Sequence, residues 1–201
     1  MSELKVKLQS PDYRRDHERF TQHRNEFNSG TWIFSEAEFQ SWYGSTESSI
    51  LCISGLPGMG KTTIMSTVTN KLLAEKQYFG NETLVGYFYF SHGLQEPHNS
   101  LLRALLEQFM DQNAALLSGL LNKYLHAYAD GIRETEVLQE LVKRTIETCR
   151  VAYLVLDGLD EYTHKEVGRT VKWLLSTAKN LPNGSILRII ISTRRDSTGL
   201  H

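Results

Sequence analysis

The spacing of apolar and polar positions changes period several times along the chain. Residues 11–29 carry Tyr13, Phe20 and Phe27 seven apart, set among Arg14, Arg15, Asp16, Glu18, Arg19 and Arg24. That spacing drifts slowly round a helix and predicts a charged amphipathic helix whose charge run is a solvated face. Asn28-Ser29-Gly30 stops it, because Asn and Gly tolerate the left-handed conformation of a helix end. Residues 31–34 lead to Ser35, with Glu38 three positions on, a capping-box pattern that predicts a short helix carrying Phe39, Trp42 and Tyr43. Residues 44–49 are a polar linker.

From residue 50 the pattern alternates between strand and helix. Short apolar runs at 50–54, 84–90, 151–156 and 186–191 read as buried strands. Helical periodicity fills 61–75, 101–110, 114–129, 134–150 and 166–178, and Asn183-Gly184 marks the turn before the last strand. Strands alternating with helices imply right-handed crossovers and a mostly parallel sheet between helical layers. The expected fold is α/β with three layers, an N-terminal helical segment at 1–48 leading into a core at 49–201.

Composition narrows the classes of function. In 201 residues, 22 Lys and Arg balance 23 Asp and Glu. A net charge of −1 lacks the basic excess of a nucleic-acid binder or a polybasic membrane module. No apolar run approaches the roughly 20 residues of a membrane-spanning helix, and residues 1–10 are too polar for a secretory signal. Cys52 and Cys149 match no metal spacing and sit in apolar sequence, which points to a reducing, cytoplasmic setting. The 7 histidines form no ligand cluster and read as surface residues, and Trp32, Trp42 and Trp173 read as core anchors.

The strongest chemical signal is Gly55-Leu56-Pro57-Gly58-Met59-Gly60-Lys61-Thr62, followed by Thr63. It fits G-x-x-x-x-G-K-[ST] between an apolar strand and a helix. The glycines let successive amides turn inward toward phosphate oxygens, and the helix N-terminus favours the anion. Lys61 reaches the β- and γ-phosphates, and the Thr62 hydroxyl coordinates Mg²⁺. A second signal is the apolar strand ending in Asp157, followed by Gly158-Leu159-Asp160-Glu161. A carboxylate at the C-terminal edge of a parallel sheet holds Mg²⁺ beside Thr62, and Asp160 or Glu161 orients or deprotonates the attacking water. The third is the strand that ends in Ser192-Thr193-Arg194-Arg195. Its hydroxyls and Arg194 are placed to sense the γ-phosphate, whereas Arg195 fits a solvent-exposed loop equally well.

GLPGMGKTT, LVLDGLDEY and IIISTRR, in this order, resemble the Walker A, Walker B and sensor 1 motifs of NACHT NTPases of the STAND class. The small Gly158 after Asp157, with acids at Asp160-Glu161, is similar to the NACHT pattern. The stretch HRNEFNSGTWIFSEAEFQSWYGS resembles the segment before the phosphate loop in fungal NACHT proteins with a nephrocystin-type N-terminal region. The resemblance implies a P-loop NTPase sheet in the order 5-1-4-3-2. Its fifth strand would follow residue 201, which leaves the first strand as an unpaired edge and a place for self-association. It also implies a slow, Mg²⁺-dependent nucleotide switch in an NLR-like signalling or defence protein, with unidentified effector and sensor partners.

Three functions fit these residues: a triphosphatase switch, a non-catalytic assembly module stabilised by nucleotide, and, more distantly, a small-molecule phosphotransferase. The base stays open. ATP is the default, and GTP is the alternative because the loop reads phosphates and not purines.

Overall fold

The computed structural model describes residues 2–27, 30–113 and 132–194. At its centre is a parallel sheet of β1 (Ser49–Ser54), β2 (Thr83–Tyr89), β3 (Val151–Asp157) and β4 (Ile186–Thr193), hydrogen-bonded in the order β1-β4-β3-β2. The helices among the described residues are α1 (Ser2–Leu8), α2 (Tyr13–Phe27), α3 (Ala37–Gly44), α4 (Lys61–Phe79), α5 (Pro97–Gln112), α6 (Thr135–Glu147) and α7 (His164–Lys179). The predicted helix at 114–129 lies outside the described residues. No described helix is long and apolar enough to cross a membrane.

Two strands make up the middle of the sheet, and the pleat decides what each residue meets. β3 pairs with β2 through Tyr89↔Asp157 and with β4 through Leu156↔Ile191, so the carboxyl ends of these strands finish together. On one face, Tyr87, Tyr89 and Tyr153 meet α2, α3 and α4: His17 packs 4.6 Å from the Tyr87 ring, and Trp42 lies 5.9 Å from Tyr153. On the other face, Gly86 and Leu154 meet Leu105 of α5, on which α6 and α7 pack in turn. Leu4, Leu8, Tyr13, Phe39 and Trp42 of the first 48 residues are buried in the same core as the sheet.

The two edges of the sheet differ. β2 is fully buried because α5 closes its outer edge with side chains. Tyr87 N–H donates to Gln108 Oε1 (3.0 Å) and Gln108 Nε2 donates to Tyr87 O (2.8 Å); Gln112 makes the same pair of bonds with Val85. One turn of helix separates the two glutamines, which matches the step between alternate residues of the strand. Among the described residues β1 pairs only with β4, and its residues alternate between half-buried and exposed, with Ile50 42% exposed.

Several expectations need correction. Ser35 does not cap α3: it ends a 3-10 turn over Thr31–Ser35, and Glu36 precedes the helix without a side-chain cap bond. A side-chain cap is found at α7, where Thr163 Oγ1 accepts from Glu166 N–H. His17 and His98 are buried, not surface residues. Trp32 is 56% exposed, whereas Trp42 and Trp173 are buried. Cys52 is exposed on the β1 edge, while burial of Cys149 pushes its thiol up to about 12.

Candidate functional site

The loop between β1 and α4 is tied to the sheet at its start, where Gly55 N–H donates to Thr193 O (3.3 Å). Gly58 and Gly60 then both adopt φ +80°, a left-handed conformation that side chains disfavour, and the chain curls into the first turn of α4. No side chain caps that turn, so its amides remain available to an anion that also meets the positive end of the helix dipole. Lys61 Nζ lies inside the curl, donating to Gly55 O (2.8 Å) and Leu56 O (3.0 Å). Leu56 and Met59 point outward, 54% and 66% exposed, and Met59 Sδ accepts from Leu56 N–H. Thr63 faces its own helix, with its carbonyl accepting from Ser66 and Thr67.

A cavity of about 460 Å³ opens over this loop at the carboxyl edge of the sheet. Of the sequence-predicted residues it gathers Pro57, Gly58, Gly60, Lys61, Thr62, Asp157, Asp160, Glu161 and Arg194 on one wall system; Gly55, Leu56, Met59 and Thr63 do not line it. Arg195 lies outside the described residues. Asp157, the last residue of β3, is almost completely buried, and burial raises its pKa against the opposing pull of Ser192, Thr62 and the Lys61 charge. The Thr62 hydroxyl lies near this carboxylate and favours its charged form.

The Ser192 hydroxyl has a different place from the one expected of a phosphate sensor. It donates to Asp157 Oδ1 and accepts from Gly158 N–H (3.0 Å), so it orients the carboxylate and the turn that follows. Thr193 faces β1, 3.7 Å from Cys52 Sγ. Gly158 turns the chain with φ +74°, and a Cβ there would sit 3.1 Å from Phe90 O, which accounts for the small residue after Asp157. The turn brings in Asp160, only 6% exposed, whose Oδ2 receives no hydrogen bond but lies 3.3 Å from Arg194 Nε. Arg194 also reaches Glu161 Oε1 at 3.5 Å. Arg194 therefore holds the two acids as well as facing the cavity.

The donor set suits a hard divalent cation. Thr62 and Asp157 offer adjacent oxygens, and the Asp160 oxygen without a donor adds negative charge nearby. Among the described residues no cluster of three or more acidic, His or Cys side chains could cage a metal alone. A cation held by Thr62 and Asp157 would need further oxygens from outside the protein to complete its shell.

The cavity has one wall that the charge pattern did not reveal. Asp16, Arg19 and Phe20 of α2 line it, together with Tyr89, Phe90 and Ser91 at the end of β2. The signal in the sequence was His17 and Thr21, polar residues four apart on the side of α2 that docks, beside which Asp16 and Arg19 reach the cavity rim.

Comparison with known proteins fits this geometry. The chain is 28% identical over 137 residues to the vegetative incompatibility protein HET-E-1 of Podospora anserina, covering 65% of this chain and 10% of that protein. It is 28% identical over 151 residues to the chromosomal replication initiator protein DnaA of Psychromonas ingrahamii, covering 72% of this chain and 31% of that one. The chain thus spans about a tenth and about a third of the length of these two relatives. No solved structure matches it significantly. The model of the Nephrocystin 3, N-terminal family matches residues 28–194, which takes in the phosphate loop, Asp157 and Arg194, and the chain belongs to that family.

Proposed function

We propose that the chain is the nucleotide-binding module of a NACHT-type P-loop NTPase, a slow Mg²⁺-dependent hydrolase that serves as a switch. The observation that carries this reading is the convergence of Lys61, Thr62, Asp157 and Asp160 on one cavity beside the uncapped first turn of α4. The loop amides and Lys61 Nζ bind the β- and γ-phosphates, with Lys61 exchanging two backbone carbonyls for phosphate oxygens. Thr62 and Asp157 would hold Mg²⁺, which when bound offsets phosphate charge. Asp160 orients the attacking water and accepts its proton, with Glu161 as the alternative base; Arg194 keeps both acids in position. Ser192 fixes the rotamer of Asp157. ATP is the nucleotide we expect, and GTP is the alternative.

The likeness to a vegetative incompatibility protein supports a place in an NLR-like self/non-self recognition or defence protein. A second reading is nucleotide-stabilised assembly without turnover, since binding alone at this cavity would stabilise the fold. Phosphate release from Mg·ATP and Mg·GTP separates the two. Asp160→Asn is expected to lower turnover about 100-fold while nucleotide binding persists. Wild-type binding without any release would overturn the hydrolase and leave the assembly module.

A further inference from the structure

The N-terminal helical segment does more than cover the sheet. α2 is fastened at two points beside the phosphate loop. His17 Nδ1 lies 2.8 Å from Tyr89 OH at the end of β2, and His17 Nε2 lies 3.3 Å from Asn70 Oδ1 on α4, the helix that the loop opens. Asn70 Nδ2 in turn donates to Thr21 Oγ1 (3.1 Å), one turn further along α2. With His17 and Thr21 on the docked side, the adjoining flank of α2 carries Asp16, Arg19 and Phe20 into the cavity wall.

Cations on that wall have different engagements. Lys61 is bonded to loop carbonyls, and Arg194 is held by Asp160 and Glu161. Arg19 makes no salt bridge within 4 Å among the described residues, although its charge acts on Asp16 beside it; its guanidinium lies 4.6 Å from the centre of the Phe20 ring, and that ring packs on Tyr89 at 4.9 Å. The Phe20 ring lies under the exposed guanidinium and leaves its edge donors for another acceptor. α2 packs against β2 and α4, on the side of the cavity where β2 and β3 end and where Asp160 lies. In the nucleotide reading above, the inner phosphates would occupy the glycine curl and the helix N-terminus, and the terminal phosphate would lie toward this side.

We infer that Arg19 binds the terminal phosphate of the nucleotide, so that the N-terminal helix distinguishes a triphosphate from a diphosphate. The inference rests on the nucleotide reading of the cavity given above. A planar guanidinium bonded to a terminal phosphate through charge-assisted hydrogen bonds is worth a tenfold or larger affinity difference, and it has no partner when the terminal phosphate is gone.

The test is titration of the full chain, in Mg²⁺, with the non-hydrolysable imidotriphosphates of adenosine and guanosine and with the matching diphosphates. Arg19→Gln is expected to weaken the preferred triphosphate about tenfold while changing its diphosphate by less than twofold. Arg19→Lys should keep part of the preference. Arg15→Gln, one turn earlier on α2 and outside the cavity wall, should change neither, which controls for the loss of one positive charge. An Arg19→Gln chain that binds the triphosphate as wild type does, or that loses both nucleotides equally, would overturn the inference while leaving the nucleotide site intact. Wild type binding neither nucleotide would instead overturn the nucleotide reading itself, and Arg19's role with it.

Discussion

His98 illustrates how much of this molecule depends on neutral polar groups held in the core. Its side chain is fully buried, 3.1 Å from Thr170 Oγ1 at Nδ1 and 2.8 Å from Gln139 Nε2 at Nε2, with the Trp173 ring edge-on at 5.7 Å. The neutral ring satisfies this arrangement with Nδ1–H donating to Thr170 and Nε2 accepting from Gln139. Burial, helped by the Arg169 charge, lowers its pKa from 6.5 to about 4. Because the folded-state value is depressed, the unfolded chain binds the proton first as the pH falls, and stability is lost between about pH 6.5 and 4. That loss is on the order of 3 kcal/mol when complete. Urea unfolding across this range should therefore show a midpoint that falls with acidification, and His98→Gln should flatten the fall. An unchanged slope in the variant would assign the acid loss to other groups. None of this was visible in the sequence, where His98 and His92 bracket a loop and nothing reveals that α6 and α7 close over one of them. The glycines of the phosphate loop and Asp157 were legible, since their residue types and spacing are dictated by local backbone geometry.

Among the elements, β2 and β1 show why an edge strand's fate depends on its neighbour. The LVGYFYF run predicts a buried strand, yet among the described residues β2 has a strand partner on one side only. Its burial comes from Gln108 and Gln112, which act as a hydrogen-bonding edge made of side chains. Replacing Gln108 with Leu keeps the volume but leaves the N–H and C=O of Tyr87 buried without partners. The expected loss is roughly 2 to 3 kcal/mol in urea unfolding, against near zero if water replaced the amide. Two glutamines in a leucine-rich helix look like solvent-facing polar positions in the sequence, so this contact could not be read from periodicity. The element order and the strand ends were readable, because apolar runs bounded by turn residues leave few alternatives. Boundaries moved by a few residues: α4 runs on to Phe79 with its last turn exposed, and α6 stops at Glu147. Ser35 lost its capping role because the 3-10 turn before α3 has already absorbed it.

At the scale of the whole molecule, the parallel sheet brings residues far apart in sequence to one edge. Asp157 ends β3, while Lys61, Asp160 and Arg194 come from segments after β1, β3 and β4, and α2 adds a fourth wall from the opposite end of the chain. The motif residues could be assigned to this edge from the sequence, because an open α/β sheet places its ligands at the carboxyl ends of its strands. The contribution of α2 could not, since a helix with alternating charges carries no mark of which flank meets solvent. An even charge balance, −1 overall, also fits a site in which the cations are local and matched by nearby acids. The central claim is that this edge binds a nucleoside phosphate through Lys61. Thermal melting of the chain in Mg²⁺ with ATP, ADP, GTP or buffer, beside Lys61→Ala, tests it most directly. At a hundredfold excess over Kd the account predicts a rise of roughly 5 to 10 °C with one nucleotide, absent in Lys61→Ala. The same melting temperature with every nucleotide, or an equal rise in wild type and Lys61→Ala, would contradict it.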